Sequence, residues 1–265
     1  MATKTQNPET KSTASGAGRL IAVASGKGGV GKTWFSITLS HALAKEGKKV
    51  LLFDGDLGLA NIDVQLGLMA KRDLNDVIEG HLGLAHVVEH YEEGGFDVVA
   101  GRSGHGSLSS LPLERLNALL REIRNIVPQY DAVIVDLGAG IDRTVRFITA
   151  ATDATIVVTT DEPTALTDAY ALIKLSHAAG HADNIKVVVN MTADAKEGTT
   201  TYNTLLKACK NFLKLSPPLL GVIRQDKRVR EAIRAQTPYL TRSPNTDTAA
   251  DIEKIARAVN EEIMA

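Results

Sequence analysis

The run Gly26-Lys27-Gly28-Gly29-Val30-Gly31-Lys32-Thr33 holds the residues best suited to chemistry, and that chemistry is phosphoryl handling. Glycines let successive backbone N–H groups turn inward around phosphate oxygens, and a helix starting at the end of the run adds a partial positive charge. Lys32 is placed to reach the β- and γ-phosphates of a nucleotide, and the Thr33 hydroxyl is placed to bind Mg²⁺. The apolar run Leu20–Ala24 leads straight into these residues, and Trp34, Ile37, Leu39 and Leu43 follow at helical spacing. Strand, glycine loop and helix in that order are what a phosphate-binding loop requires, and they outweigh the plainer reading of a ligand-free glycine turn.

Carboxylates stand at the ends of two further apolar runs. Val50–Phe53 delivers Asp54 and Asp56, and Ala132–Val135 delivers Asp136. In parallel sheets ligands bind at the carboxyl ends of strands, so the first pair marks a phosphate-sensing loop and Asp136 reads as the acid that holds Mg²⁺ through water. Asp63 reads as a turn or helix-start carboxylate. His86 and His90 fit the letters of an inverted zinc-protease motif, but no third ligand is evident and the chemistry of a surface helix explains them better. The lone Cys209, in a helical pattern, reads as a packing residue.

The elements that must position these groups alternate regularly. Strands are expected at Leu20–Ala24, Val50–Phe53, Asp97–Ala100, Ala132–Val135, Thr155–Thr159, Ile185–Val189 and Leu219–Ile223. Helices are expected near 32–46, 112–126, 142–150, 164–179, 199–213, 227–235 and 247–263, with Pro112 in a first turn and Gly47 and Gly180 just past helix ends. This predicts an α/β fold: a mostly parallel, doubly wound P-loop NTPase sheet of about seven strands, flanked by helices on both faces through right-handed crossovers. Residues 1–18 are polar without apolar periodicity and read as a disordered tail, leaving 19–265 as one domain. A formal net charge of -1 supplies no global attraction to nucleic acid or anionic lipid. Neither a spanning segment nor a secretory leader is evident, which predicts a cytoplasmic protein.

The second lysine of the loop, Lys27, makes the pattern specific. Lys-Gly-Gly-Val-Gly-Lys-Thr resembles the deviant phosphate-binding motif of the MinD/ParA class of P-loop ATPases. The resemblance implies that Lys27 crosses a dimer interface to phosphate bound by the partner, neutralising charge during phosphoryl transfer. Asp54-Gly55-Asp56-Leu57-Gly58-Leu59-Ala60-Asn61 is similar to the family's Asp-x-Asp-x-Gly-Leu-x-Asn, implying that Asp56 orients the attacking water with Asp54 as its orienting or Mg²⁺-shell partner. Asn190, at a strand end, stands where relatives read the polar edge of adenine, although a turn asparagine would also fit. Gly221 to Ala232 resembles the family's Gly-x-Ile-Pro-x-Asp-x-x-Val-x-x-Ala, which puts Asp226 at the nucleotide side or at a helix cap, with Arg224 in place of proline. After Asp136 the chain has Leu137 where relatives carry a hydroxyl residue.

Within the class the chain is similar to the FlhG/FleN regulators of flagellar number and placement, on Asp56 to Leu68, Leu74 to Gly80 and Asp161 to Lys174. The resemblance implies ATP and Mg²⁺ as cofactors, slow hydrolysis, an ATP-dependent homodimer and a protein partner among flagellar regulators or assembly components. It also implies a peripheral place at the inner membrane face or cell pole. The last helix, however, has Ile252, Ile255, Ala256, Val259 and Ile263 on one face and acidic residues elsewhere, as in a helix packed on a sheet rather than a cationic membrane anchor. The alternative is a ParA-like positioning ATPase for a DNA locus or chemoreceptor array, with Arg224, Lys227, Arg228, Arg230 and Arg234 contacting DNA nonspecifically. A solvated helix face explains that cluster more simply.

Overall fold

Strands buried on both faces need apolar side chains at odd and even positions alike, and the runs above meet that demand. In the structure, a computed structural model that describes residues 18–56, 61–69, 74–101 and 111–265, they form β1 (Arg19–Ser25), β2 (Val50–Gly55), β4 (Phe96–Val99), β5 (Ala132–Ala139), β6 (Ala154–Thr159), β7 (Ile185–Thr192) and β8 (Leu219–Arg224). All of the expected strands are present, and an eighth, β3 (Glu89–Tyr91), joins them: it pairs antiparallel with β4 at the sheet edge, and all other pairings are parallel. The strand order is β3-β4-β2-β5-β1-β6-β7-β8. Nearly all of the expected tail, 1–18, lies outside the described residues, as does 57–60 of the expected switch segment.

Alternate residues of each strand serve opposite layers. Ile21, Val23, Leu52, Ile134 and Ile156 meet α1 (Lys32–Lys45) and α10 (Asp247–Glu262), whose Leu39, Leu43, Ile252, Ile255 and Val259 are buried against them. Leu20, Leu51, Phe53, Val133 and Val135 meet α4 (Leu113–Ile126) and α6 (Pro163–Ala178) on the other face. The layer position of α10 bears out its reading as a packed helix. No helix among the described residues is long and apolar enough to cross a membrane.

The remaining helices are α2 (Ile62–Leu66), α3 (Leu74–Ile78), α5 (Arg143–Thr149), α7 (Ala195–Ala208), α8 (Lys227–Arg234) and α9 (Tyr239–Arg242). The expected helix at 199–213 starts earlier, because Asp194 caps it by accepting from the Glu197 N–H at 2.8 Å. Its last turn, Cys209–Leu213, is a π-helix. Cys209 is buried there, and burial pushes its thiol up to about 11, so it packs rather than reacts. His86 ends a short 3₁₀ turn while His90 lies in β3, its Nδ1 2.6 Å from Asp97 Oδ1. The two histidines therefore share no helix, which corrects the surface-helix reading and leaves the zinc pattern without its geometry.

His41, buried in α1, is held down to about 4 by burial and then by the nearby Lys45 charge. Its folded form is neutral where the unfolded side chain would take a proton, so stability is present above about pH 6.5 and is lost as pH falls toward 4. We expect the contribution of this residue to stability to fall across that window by on the order of 2 kcal/mol, read as the difference in urea midpoints between wild type and a variant without the imidazole. His41→Leu should flatten that contribution, and parallel pH profiles for the two proteins would refute it. Asp54, raised to about 7, runs the opposite way in the same window, which is why the comparison must be made against the variant.

Candidate functional site

β1 ends at Ser25, and the chain turns through the glycine loop before α1 begins at Lys32. Gly29 and Gly31 have φ of 82° and 84°, left-handed values that a residue with Cβ adopts only under strain. A Cβ on Gly31 would also stand 2.4 Å from Asn190 Nδ2. Asn190, buried at the end of β7, donates to the Val30 carbonyl at 2.8 Å and so fastens the loop from the neighbouring strand. The Ser25 hydroxyl donates to the Lys27 carbonyl at 3.0 Å and closes the loop at its start.

The two lysines of the loop occupy different environments. Lys32 is 7% exposed, and its Nζ lies 3.0 Å from Asp136 Oδ1. The Ser36 hydroxyl, one turn along α1, donates to the same oxygen at 2.7 Å. Ser36 was not singled out from the sequence, although its place four residues after Lys32 on one helix face was a usable signal. Lys27 is 35% exposed and is bonded to Glu162 Oε2 and, at 2.7 Å, to Thr164 Oγ1, both at the start of α6. Thr33, half-buried, sits in the first turn of α1 beside Lys32.

Asp54 and Asp136 are register partners on β2 and β5, and both are about 1% exposed. Burial first, and the Asp136 charge second, push Asp54 up to about 7. Its oxygens accept from the Asp56 N–H at 3.0 Å and the Ile62 N–H at 3.3 Å, so Asp54 ties the strand end to α2. Asp56 is half-buried and faces the end of β5: a Cβ on Gly138 would stand 3.5 Å from its carboxylate. Leu137, where a hydroxyl was expected by resemblance, is buried in the apolar layer instead.

At the far side, β8 ends in Arg224. Its Nε and Nη2 each lie 2.8 Å from the Asp251 carboxylate and its Nη1 lies 2.9 Å from Asp247, so the guanidinium clamps the strand end to α10 at the position where the resemblance led to a proline. Asp226 caps α8, accepting from the Arg228 N–H at 2.8 Å, and Tyr239 donates to its other oxygen at 2.8 Å. Burial works against its charge, but these donors outweigh burial and hold its carboxyl below the usual range.

Three cavities join these groups. One of about 540 Å³ is bounded by Lys27, Gly28, Gly29, Val30, Glu162 and Arg230. A second, of about 60 Å³, lies between Trp34, Asn190, Met191 and Asp226, and a third, of about 600 Å³, includes Arg224, Gln225, Arg228 and Thr248. Met191 has a φ of 60°, an uncommon conformation for a side-chain-bearing residue and one that recurs where ligands are gripped. Backbone N–H groups, an ammonium, a hydroxyl and carboxylates around one loop fit a nucleotide phosphate chain with a hard oxygen-seeking dication. Lys32, Thr33, Asp54, Asp56 and Asp136 gather at the carboxyl ends of β1, β2 and β5, while Asn190 and Asp226 lie toward β7 and β8.

The family described as the CobQ/CobB/MinD/ParA nucleotide binding domain matches residues 21–239. The antiactivator FleN of Pseudomonas aeruginosa is 40% identical over 243 residues, covering 91% of this chain and 86% of FleN. The flagellum site-determining protein YlxH of Helicobacter pylori is 34% identical, covering 95% of this chain and 85% of YlxH. The septum site-determining protein MinD of Pyrococcus horikoshii, solved in complex with Mg-ADP, superposes with a TM-score of 0.75 at 26% identity, covering 93% of this chain and 98% of that one.

Proposed function

The chain belongs to the CobQ/CobB/MinD/ParA nucleotide-binding family, and from that premise we propose that it is an ATP-dependent dimerisation switch with slow Mg²⁺-dependent ATP hydrolysis that regulates the number or placement of flagella. The flagellar assignment draws on the likeness to FleN and YlxH. The switch draws on one observation above the others: the loop carries two lysines, Lys32 turned inward onto Asp136 and Lys27 at the open mouth, tethered only to exposed side chains. An exposed pair such as Lys27 and Glu162 is worth little in water, so Lys27 is free to exchange it for phosphate across an interface.

In this reading the loop N–H groups and Lys32 bind the β- and γ-phosphates of ATP. Thr33, with Asp136 and the Asp54 site behind it, holds Mg²⁺, which supplies charge neutralisation of the phosphate oxygens. Asp56 orients water for attack on the γ-phosphorus, and ADP leaves as charge spreads over the transferring group. Lys27 of each protomer stabilises that charge in the other, so ATP favours the dimer and hydrolysis releases it. Asn190 and Asp226 stand on the base side. The dimer recruits a protein partner, a flagellar regulator or assembly component, at a cytoplasmic position that includes the inner membrane face or pole.

The test is the mass in solution with Mg·ATP, with ADP and without nucleotide. A dimer formed only with ATP and lost in Lys27→Ala is the expected result. A monomer throughout would remove the switch and leave nucleotide binding alone. The exposed Lys27 to Glu162 tether gives no reason for Lys27→Ala to unfold the chain, so lost dimer with retained melting temperature is the informative outcome. Exposed Lys227, Arg228 and Arg234 favour a second reading, a ParA-like positioning ATPase for another cargo that uses nonspecific DNA as its track. It requires ATP-dependent DNA binding that falls steeply with salt.

A further inference from the structure

The arginines around α8 use their charges differently. Arg224 is neutralised by Asp247 and Asp251, and Arg228 by Asp226 at 3.0 Å. Arg230 is exposed and has no carboxylate partner among the described residues, yet it lines all three cavities of the site. It therefore stands where the groove passes from Asn190 and Met191 to Gly28, Gly29 and Lys27. Along α8, which Asp226 caps, Ala232 is buried and Val229 and Ile233 pack against the core, while Arg230 stays exposed.

We propose that Arg230 is a nucleotide-binding residue that donates to the phosphate chain of bound ATP from the α8 side of the groove. The inference rests on the nucleotide reading above and adds a residue to it. A guanidinium offers a planar fork that matches two phosphate oxygens, which a lysine does not reproduce. Lys227 and Arg234 are three and four residues away on the same helix face, yet of the three only Arg230 borders the cavity that holds Lys27 and the glycine loop. A neutralised arginine would bring no net charge to that groove, whereas Arg230 brings one opposite the loop.

Competition against a fluorescent ATP analogue, with ATP, ADP and adenosine as competitors, tests this on wild type, Arg230→Ala, Arg230→Lys and Arg234→Ala. Arg230→Ala should weaken ATP and ADP by about 10–100-fold and leave adenosine within about two-fold, because only a charge-assisted phosphate contact is lost. Arg230→Lys should fall between, and Arg234→Ala, which removes the same charge from the same helix, should match wild type. Equal loss of adenosine would make Arg230 a wall of the base pocket and overturn the proposal. Unchanged ATP affinity with loss of duplex DNA binding would also overturn it, returning Arg230 to the basic outer face. A wild type that displaces nothing with any competitor would bring down the nucleotide reading itself, an outcome distinct from a variant that behaves like a nucleotide-binding wild type.

Discussion

Asp56→Ala is expected to lower ATP turnover by about 10²–10⁴-fold while leaving ATP affinity within a few-fold. Two acidic residues leave β2, and their surroundings divide the work. Asp54 is 1% exposed, with its oxygens taken by the Asp56 and Ile62 N–H groups and its carboxyl raised to about 7 by burial and by Asp136. Water has no route to it, and a carboxyl so committed holds the strand end in shape. Asp56, two residues on, is half-buried and faces the end of β5, close to the position a Gly138 side chain would fill. It is the carboxylate of the pair that can meet solvent beside the phosphate loop. Single-turnover phosphate release measured beside an ATP titration separates the roles: slow release with intact binding supports Asp56 as the water-orienting group, and the ATP dimer should then persist. Unchanged release would place that role elsewhere, and joint loss of binding would make Asp56 structural.

How far the sequence could be read depended on whether the determining contacts were local. The glycine loop was legible because strand, loop and helix lie within one short segment, and left-handed φ at Gly29 and Gly31 is a property of residue type. Asp54 and Asp136 were legible as strand-end acids, since the carboxyl end of a parallel strand is where such sheets bind ligands. The strand β3 was missed because Glu89, His90 and Tyr91 form a short polar edge with no apolar run to announce it. The early start of α7 had a local signal, Asp194 followed three residues later by Glu197, that periodicity alone overlooked. The tether on Lys27 was beyond reach from pattern, because Glu162 lies 135 residues away and meets it only once β6 has been laid beside β1. Arg224 was likewise read as a lost proline, whereas the fold gives it Asp247 and Asp251 from α10 and makes the loop stiff by another means.

Asp136→Leu is expected to cost about 3–5 kcal/mol of stability in the absence of nucleotide and to abolish nucleotide-dependent activity, two effects with separate causes. The stability loss comes from Lys32, 7% exposed and 3.0 Å from the Asp136 carboxylate, whose ammonium would be left without its counter-charge. Ser36 would lose its acceptor at 2.7 Å in the same change. Lys32→Met alone should cost a comparable amount by stranding the carboxylate, while the double variant should recover most of it, since an apolar pair replaces a desolvated ionic one. Urea unfolding of the four proteins without nucleotide measures the cycle, and single-variant costs below about 1 kcal/mol would show that water reaches the pair. Activity should not recover in the double variant, because in the proposed mechanism the inward lysine serves ATP and the strand-end acid serves Mg²⁺. The pair keeps two charges folded and desolvated beside the glycine loop, and in the proposed mechanism binding replaces their mutual attraction with contacts to the ligand. A site built in this way is stable without its nucleotide and still ready to exchange partners when the nucleotide arrives.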